Sequence, residues 1–132
     1  MRVRFKKFIN PDVIPRQGID IFLRQPMGKI DIEGYIARFI RVVNRQKNVV
    51  TDLISLNKSM FFANRRVLEI REVIGRIFPD PIVTNVWYDL RIVAQGNDIS
   101  FSVNEDVKIF FTDKDNPFTH GKLQFEVYNA HN

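Results

Sequence analysis

The chain has 132 residues, 45% of them apolar, with 20 Lys/Arg against 15 Asp/Glu and no cysteine. That length fits one domain over residues 1–132, and that apolar content suffices to bury a core. The missing cysteine excludes disulfides, thiolate metal sites and a Cys nucleophile.

Apolar runs are only a few residues long, too short to span a bilayer. The start, Met1-Arg2-Val3-Arg4-Phe5-Lys6-Lys7, is basic and lacks the apolar stretch of a signal peptide. Charge is lopsided. Residues 1–75 hold 15 Lys/Arg and 7 Asp/Glu, whereas residues 76–132 hold 5 and 8. A basic half invites an anionic partner such as an acidic glycan or nucleic acid. The commoner use of such charge is to keep an outer sheet face solvated.

In chain order, Val3 and Phe5 alternate with Arg2, Arg4 and Lys6, a strand pattern of period two. Ile19, Ile21 and Leu23 then alternate with Asp20, Phe22 and Arg24, and Ile30 and Ile32 with Asp31 and Glu33. Ile36–Val43 also satisfies helical spacing, but Gly34 before it and its β-branched residues favour a strand. Val49–Leu56 and Val67–Ile74 are the next strands. Val86–Ala94 alternates cleanly, and Gln95-Gly96-Asn97-Asp98 turns the chain because Gly and Asn tolerate positive φ. Ile99, Phe101 and Val103 form the next inward row, followed by Val107, Ile109 and Phe111 after the turn Asn104-Glu105-Asp106. Leu123, Phe125 and Val127 follow the loop Thr112–His120. These last four strands read as a β-meander whose inward rows, with Leu90 and Ile92, form one core. The prolines all fall between strands, where a missing N–H costs nothing. The fold class is therefore all-β, an antiparallel β-sandwich of two face-to-face sheets.

The passage WYDLRIVAQGNDISFSVNEDVKIFFTDKDNPFTHGKLQFEVYNA, Trp87–Ala130, resembles a recurring stretch of the concanavalin A-like lectin/glucanase superfamily. The likeness is to its laminin G-like and 3-keto-disaccharide hydrolase-like branches. Trp87, Gly96, Asn97, Asn104, Asp113 and Gly121 fall at matching places, and upstream GIDIFLRQ and GYIARFIR look like two further strands of that family. The resemblance implies a jelly-roll sandwich, carbohydrate binding, and an extracellular or cell-surface setting. Two departures stand out. Asn104-Glu105 replaces the family's Asp-Gly turn, so this hairpin must turn without its glycine. The family also commonly closes with a strand beyond the position of Ala130, where this sequence ends at Asn132. An open sheet edge is therefore expected, filled by a neighbouring copy or a partner segment, or shielded by the basic first strand.

Each candidate site has a plainer counterpart. Retaining glucanases need two carboxylates about 5 Å apart. Glu69 and Glu72 stand three apart on a strand and so face opposite ways. No catalytic residue is assigned. Asp113-Lys114-Asp115-Asn116 offers oxygen ligands, but a turn held by Asp and Asn side chains explains it without a metal. His120 and His131 lack metal-ligand spacing, so neither a metal nor a cofactor is assigned. Trp87 shares a mixed face with Asp89 and Arg91, where contact with a sugar ring is plausible, while Tyr88 belongs to the core row. Tyr128 is a second candidate for stacking. Arg2 and Arg4, with Arg65 and Arg66, form one basic stripe if their strands neighbour, suited to sulfate or carboxylate. No RNA-recognition or cold-shock aromatic motif is present, which argues against nucleic acid. The reading is a non-catalytic glycan-binding module contacting its ligand through Trp87, Arg91, Tyr128, Arg2, Arg4, Arg65 and Arg66. The alternative is a structural or protein-interaction domain, and a glycoside hydrolase-like enzyme is the distant third.

Overall fold

The structure, a computed structural model, describes residues 1–8, 16–25, 33–62 and 66–128, with Val127 and Tyr128 described by their main chain alone. The strands are β1 (Arg2–Arg4), β2 (Arg16–Gln25), β3 (Gly34–Asn44), β4 (Val49–Phe62), β5 (Val67–Ile77), β6 (Trp87–Gln95), β7 (Asp98–Val103), β8 (Val107–Thr112) and β9 (Lys122–Tyr128). Two sheets result, ordered β1-β6-β7-β8 and β5-β4-β3-β2-β9, with antiparallel pairing throughout. The chain is a β-sandwich. Every expected strand within the described residues is present, while Ile30 and Ile32 lie outside them.

The meander stops one strand short. β6, β7 and β8 return on themselves through two- and three-residue turns, which can only reach a neighbouring strand. The longer connection 113–121 instead crosses to the other sheet, where Phe125 pairs with Ile21 and Glu126 with Asp20. The first turn uses Gly96 at φ +55. The second places Asn104 and Glu105 at φ +53 and +63, a left-handed pair closed without glycine. Asn104 also exchanges bonds with the main chain of Asp89, donating its N–H at 2.8 Å and accepting at Oδ1 at 2.8 Å.

Inward rows of both sheets meet in one core. The five-stranded sheet supplies Ile19, Ile21, Leu23, Tyr35, Ala37, Phe39, Ile54 and Leu56; the four-stranded sheet supplies Tyr88, Leu90, Ile99, Phe101, Val103, Val107 and Ile109. Phe39 is a hub, with ring centroids of Tyr88, Phe78 and Phe5 at 5.2, 5.4 and 5.6 Å. Burying each such ring contributes about 1.5–3 kcal/mol. Ile92 and Phe111 pack at the margin of this core. On the far face of the five-stranded sheet Phe22, Ile36 and Ile40 are buried too, and Asp20 accepts from Arg38 Nε at 3.0 Å.

Two expected core residues are not core. Leu123 and Phe125 are 59% and 50% exposed. Phe125 pairs with Ile21, so both point toward the other sheet. Ile21 is covered there, whereas β9 lies one strand beyond the four-stranded sheet's reach. The side chain of Val127 is outside the described residues.

A bulge between Phe22 and Gln25 turns Arg24 to φ +53, and its guanidinium donates to the carbonyls of Gly96 at 2.6 Å and Phe118 at 2.8 Å. Glycines make room on both flanks. A Cβ on Gly34 would lie 2.5 Å from the Leu23 oxygen, and one on Gly121 would clash with that of Gln25.

Candidate functional site

Register decides which candidate residues share a surface. Arg2 pairs with Asp89 and Arg4 with Trp87, while Arg91 pairs with Ser102, Val93 with Ser100, and these serines with Lys108 and Phe110. Directly paired residues project to one side of a sheet. Since Tyr88, Leu90, Phe101 and Ile109 fill the inner side, this second set forms the solvent-facing surface of the four-stranded sheet.

That surface is an aromatic and cationic platform. Trp87 is 50% exposed at one end and Phe110 56% at the other, with Val93 also open. The Arg4 guanidinium lies 4.7 Å from the Trp87 ring centroid and Arg2 5.9 Å, so both cations stand over the indole face. Arg2 Nε also reaches Asp89 Oδ1 at 2.9 Å, an exposed pair of little energetic weight. Between the aromatics lies a shallow depression of about 330 Å³ lined by Arg91, Val93, Ser100, Ser102, Glu105 and Lys108. Four cations (Arg2, Arg4, Arg91, Lys108) meet three anions (Asp89, Asp98, Glu105), which leaves the platform with a slight positive excess.

Arg2, Arg4, Trp87 and Arg91 therefore come together. Arg66 does not join them: it precedes β5, at the margin of the other sheet, so the single stripe through Arg2, Arg4 and Arg66 is not formed. The two basic segments sit at edges of different sheets because β1 pairs with β6 and β5 with β4. Arg65 lies outside the described residues. Tyr128 pairs through its main chain with Gly18, and its side chain is not described. Nor does β1 shield β9, since it belongs to the opposite sheet.

A buried polar cluster escaped sequence reasoning. Asp113 Oδ2 accepts from Lys58 Nζ at 2.7 Å and from the Tyr35 hydroxyl at 2.5 Å, and Oδ1 accepts from the Asp115 N–H at 2.9 Å. Lys58 also donates to the carbonyls of Asp115 and Asn116. The Phe118 N–H donates to Tyr35 Oη at 3.1 Å. All three side chains are buried. Burial and the bond to Asp113 push the Tyr35 phenol well above its usual range, so it stays a neutral donor. Burial alone would raise the Asp113 carboxyl, but hydrogen bonds from Lys58, Tyr35 and Asp115 outweigh it and hold the group below its ordinary value. Lys58 meets three acceptors, and the cluster latches the 113–118 loop to the five-stranded sheet. The one available signal was a charge ending each apolar row, Ile54, Leu56, Lys58 and Ile109, Phe111, Asp113.

Glu69 and Glu72 pair with Met60 and Asn57, three positions apart on β4 and so facing opposite ways. Among the described residues, no three His, Cys, Asp or Glu side chains are grouped to hold a metal ion. No helix among them is long and apolar enough to cross a membrane.

Fold and platform together define an antiparallel β-sandwich with an open, basic sheet face. Compared with family models, curated proteins and solved structures, the chain finds no match.

Proposed function

We propose that this domain is a non-catalytic, lectin-like module that binds an anionic glycan on the outer face of its four-stranded sheet. One observation carries the reading: Trp87, Arg91, Ser100, Lys108 and Phe110 share one solvent-facing surface, with the buried Ser102 at the floor of its depression. An aromatic face suits the apolar side of a pyranose, guanidinium and ammonium groups suit sulfate or carboxylate, and serine hydroxyls suit sugar hydroxyls. The sequence resemblance to concanavalin A-like proteins supports the same ligand class, and with it an extracellular or cell-surface setting.

The test is a glycan array followed by titration of the selected oligosaccharides. Sulfated or uronic-acid sugars should bind and their neutral counterparts should not, with affinity falling as salt is raised. Replacing Arg91 and Lys108 together by alanine should weaken binding by about tenfold or more, the loss of two charge-assisted contacts. Neutral sugars bound equally well, or an unaffected double variant, would overturn the reading. A second reading, a protein-interaction domain, is favoured by the solvent-exposed Leu123 and Phe125.

A further inference from the structure

We infer that the free edge of β1 takes up an extended segment of a partner protein, apolar on one side and acidic on the other, by β-strand addition. The inference concerns the edge of β1, which borders the glycan platform through Arg2, Arg4 and Trp87, and it deepens the second reading above.

The hydrogen-bond parity of β1 comes first. The Leu90 N–H donates to the Met1 carbonyl at 2.7 Å and the Asn85 N–H to the Phe5 carbonyl at 2.7 Å. Main-chain groups alternate sides along a strand. Met1, Val3 and Phe5 therefore bond toward β6, and Arg2 and Arg4 turn their N–H and C=O outward. No strand among the described residues takes them, because β1 is the last of its sheet. Outward-facing main-chain groups on an edge strand are a template for a further strand.

What such a strand would cover is visible opposite. Leu123 and Phe125 point toward the four-stranded sheet and stay 59% and 50% exposed because that sheet ends at β1. Beside β1 lies a groove of about 290 Å³ lined by Val3, Phe5, Ile19 and Trp87 and flanked by Arg4 and Lys6. A strand added beside β1 would continue the sheet by one position, about 4.8 Å further out. Its inward residues would lie over this groove and toward the Leu123–Phe125 row, and its outward residues would stand beside Arg2 and Arg4. Inward positions thus call for apolar side chains and outward positions for Asp or Glu.

Charge selects a partner over a second copy. Pairing β1 with the same strand of another copy would set Arg2 and Arg4 against the partner's own arginines, and like charges directly opposite destabilise a strand pair. An acidic strand meets opposite charge at the same positions.

The probe is a synthetic peptide alternating valine with glutamate, titrated while following the fluorescence of Trp87, the only tryptophan. The peptide should bind, and more weakly as salt rises. A valine–lysine counterpart should not bind. Hydrogen exchange at the Arg2 and Arg4 amides should slow in the complex. Arg4→Pro removes an outward N–H and leaves the bonds to β6 intact. Phe125→Glu changes an exposed side chain that is not on the glycan platform. Each should weaken peptide binding by about tenfold or more, and Phe125→Glu should leave glycan binding unchanged, which separates the two readings. Should Arg4→Pro prevent folding, Phe125→Glu and the exchange data carry the test. Absence of peptide binding, equal binding of the lysine peptide, or unchanged Arg2 and Arg4 exchange would each overturn the inference. So would a concentration-dependent dimer that protects the same amides without peptide, which would give the edge to a second copy.

Discussion

Lys58 Nζ lies 2.7 Å from Asp113 Oδ2, joining the inner row of β4 to the residue that follows β8. The two are buried, Asp113 bonds the neutral Tyr35 hydroxyl as well, and the pair sets where the chain leaves the four-stranded sheet for β9. Lys58→Met would leave Asp113 as an uncompensated buried charge. The expected loss is about 3–5 kcal/mol, read from equilibrium urea unfolding at neutral pH. A loss under about 1 kcal/mol, the scale of surface substitutions, would show that the latch does not anchor the loop.

The same cluster sets two pH limits. The folded pKa of Asp113 lies below its ordinary 3.8, so its contribution is complete above that value and is lost as pH falls through the folded pKa. The folded pKa of Tyr35 lies above its ordinary 10.0, so its contribution is complete below 10.0 and is lost as pH rises toward the folded pKa. Denaturation midpoints followed across pH should drop at both ends. Tyr35→Phe should flatten the alkaline limb. An alkaline limb unchanged by Tyr35→Phe would assign it to other groups.

Phe101 and Phe125 should separate sharply. Phe101 is fully buried in the core and Phe125 half exposed on the outermost strand of its sheet. Phe101→Ala should cost about 3–5 kcal/mol, and Phe125→Ala under about 1 kcal/mol, the scale of surface substitutions. Equal losses in denaturant unfolding would mean that β9 is covered in solution.

Gly121→Ala should destabilise by more than about 1 kcal/mol, because its φ of +138 is closed to an L side chain and the new methyl meets the Gln25 carbonyl. Thermal unfolding of the variant checks this. An unchanged midpoint would show that the main chain beside the Arg24 bulge yields without strain.

Glu105→Gly should stabilise the domain by up to about 1 kcal/mol, since relief of a left-handed non-glycine residue is partly offset by glycine's added freedom when unfolded. The φ of +63 at Glu105 is the motive. A destabilised variant would mean that the Glu105 side chain supplies a contact worth more than the strain.

Period-two alternation read most of the strands found among the described residues, because a strand with one buried face must write that face into every second residue. Ile36–Val43, buried on both faces, was read instead from Gly34 and its β-branched residues. The same alternation placed Trp87 and Arg91 on one surface and Tyr88 in the core, since all three lie on a single strand. It could not say which strand β9 would join. Leu123 and Phe125 carry the inward pattern correctly and point to the correct side, yet burial depends on whether the opposite sheet extends that far. That is a matter of strand order. The basic stripe failed for the same reason: Arg2 and Arg66 each precede or occupy a strand, but β1 pairs with β6 and β5 with β4. Lys58 and Asp113 are 55 positions apart in sequence and meet only once two sheets are stacked. Local pattern determines which face a residue takes; long-range pairing decides what that face meets.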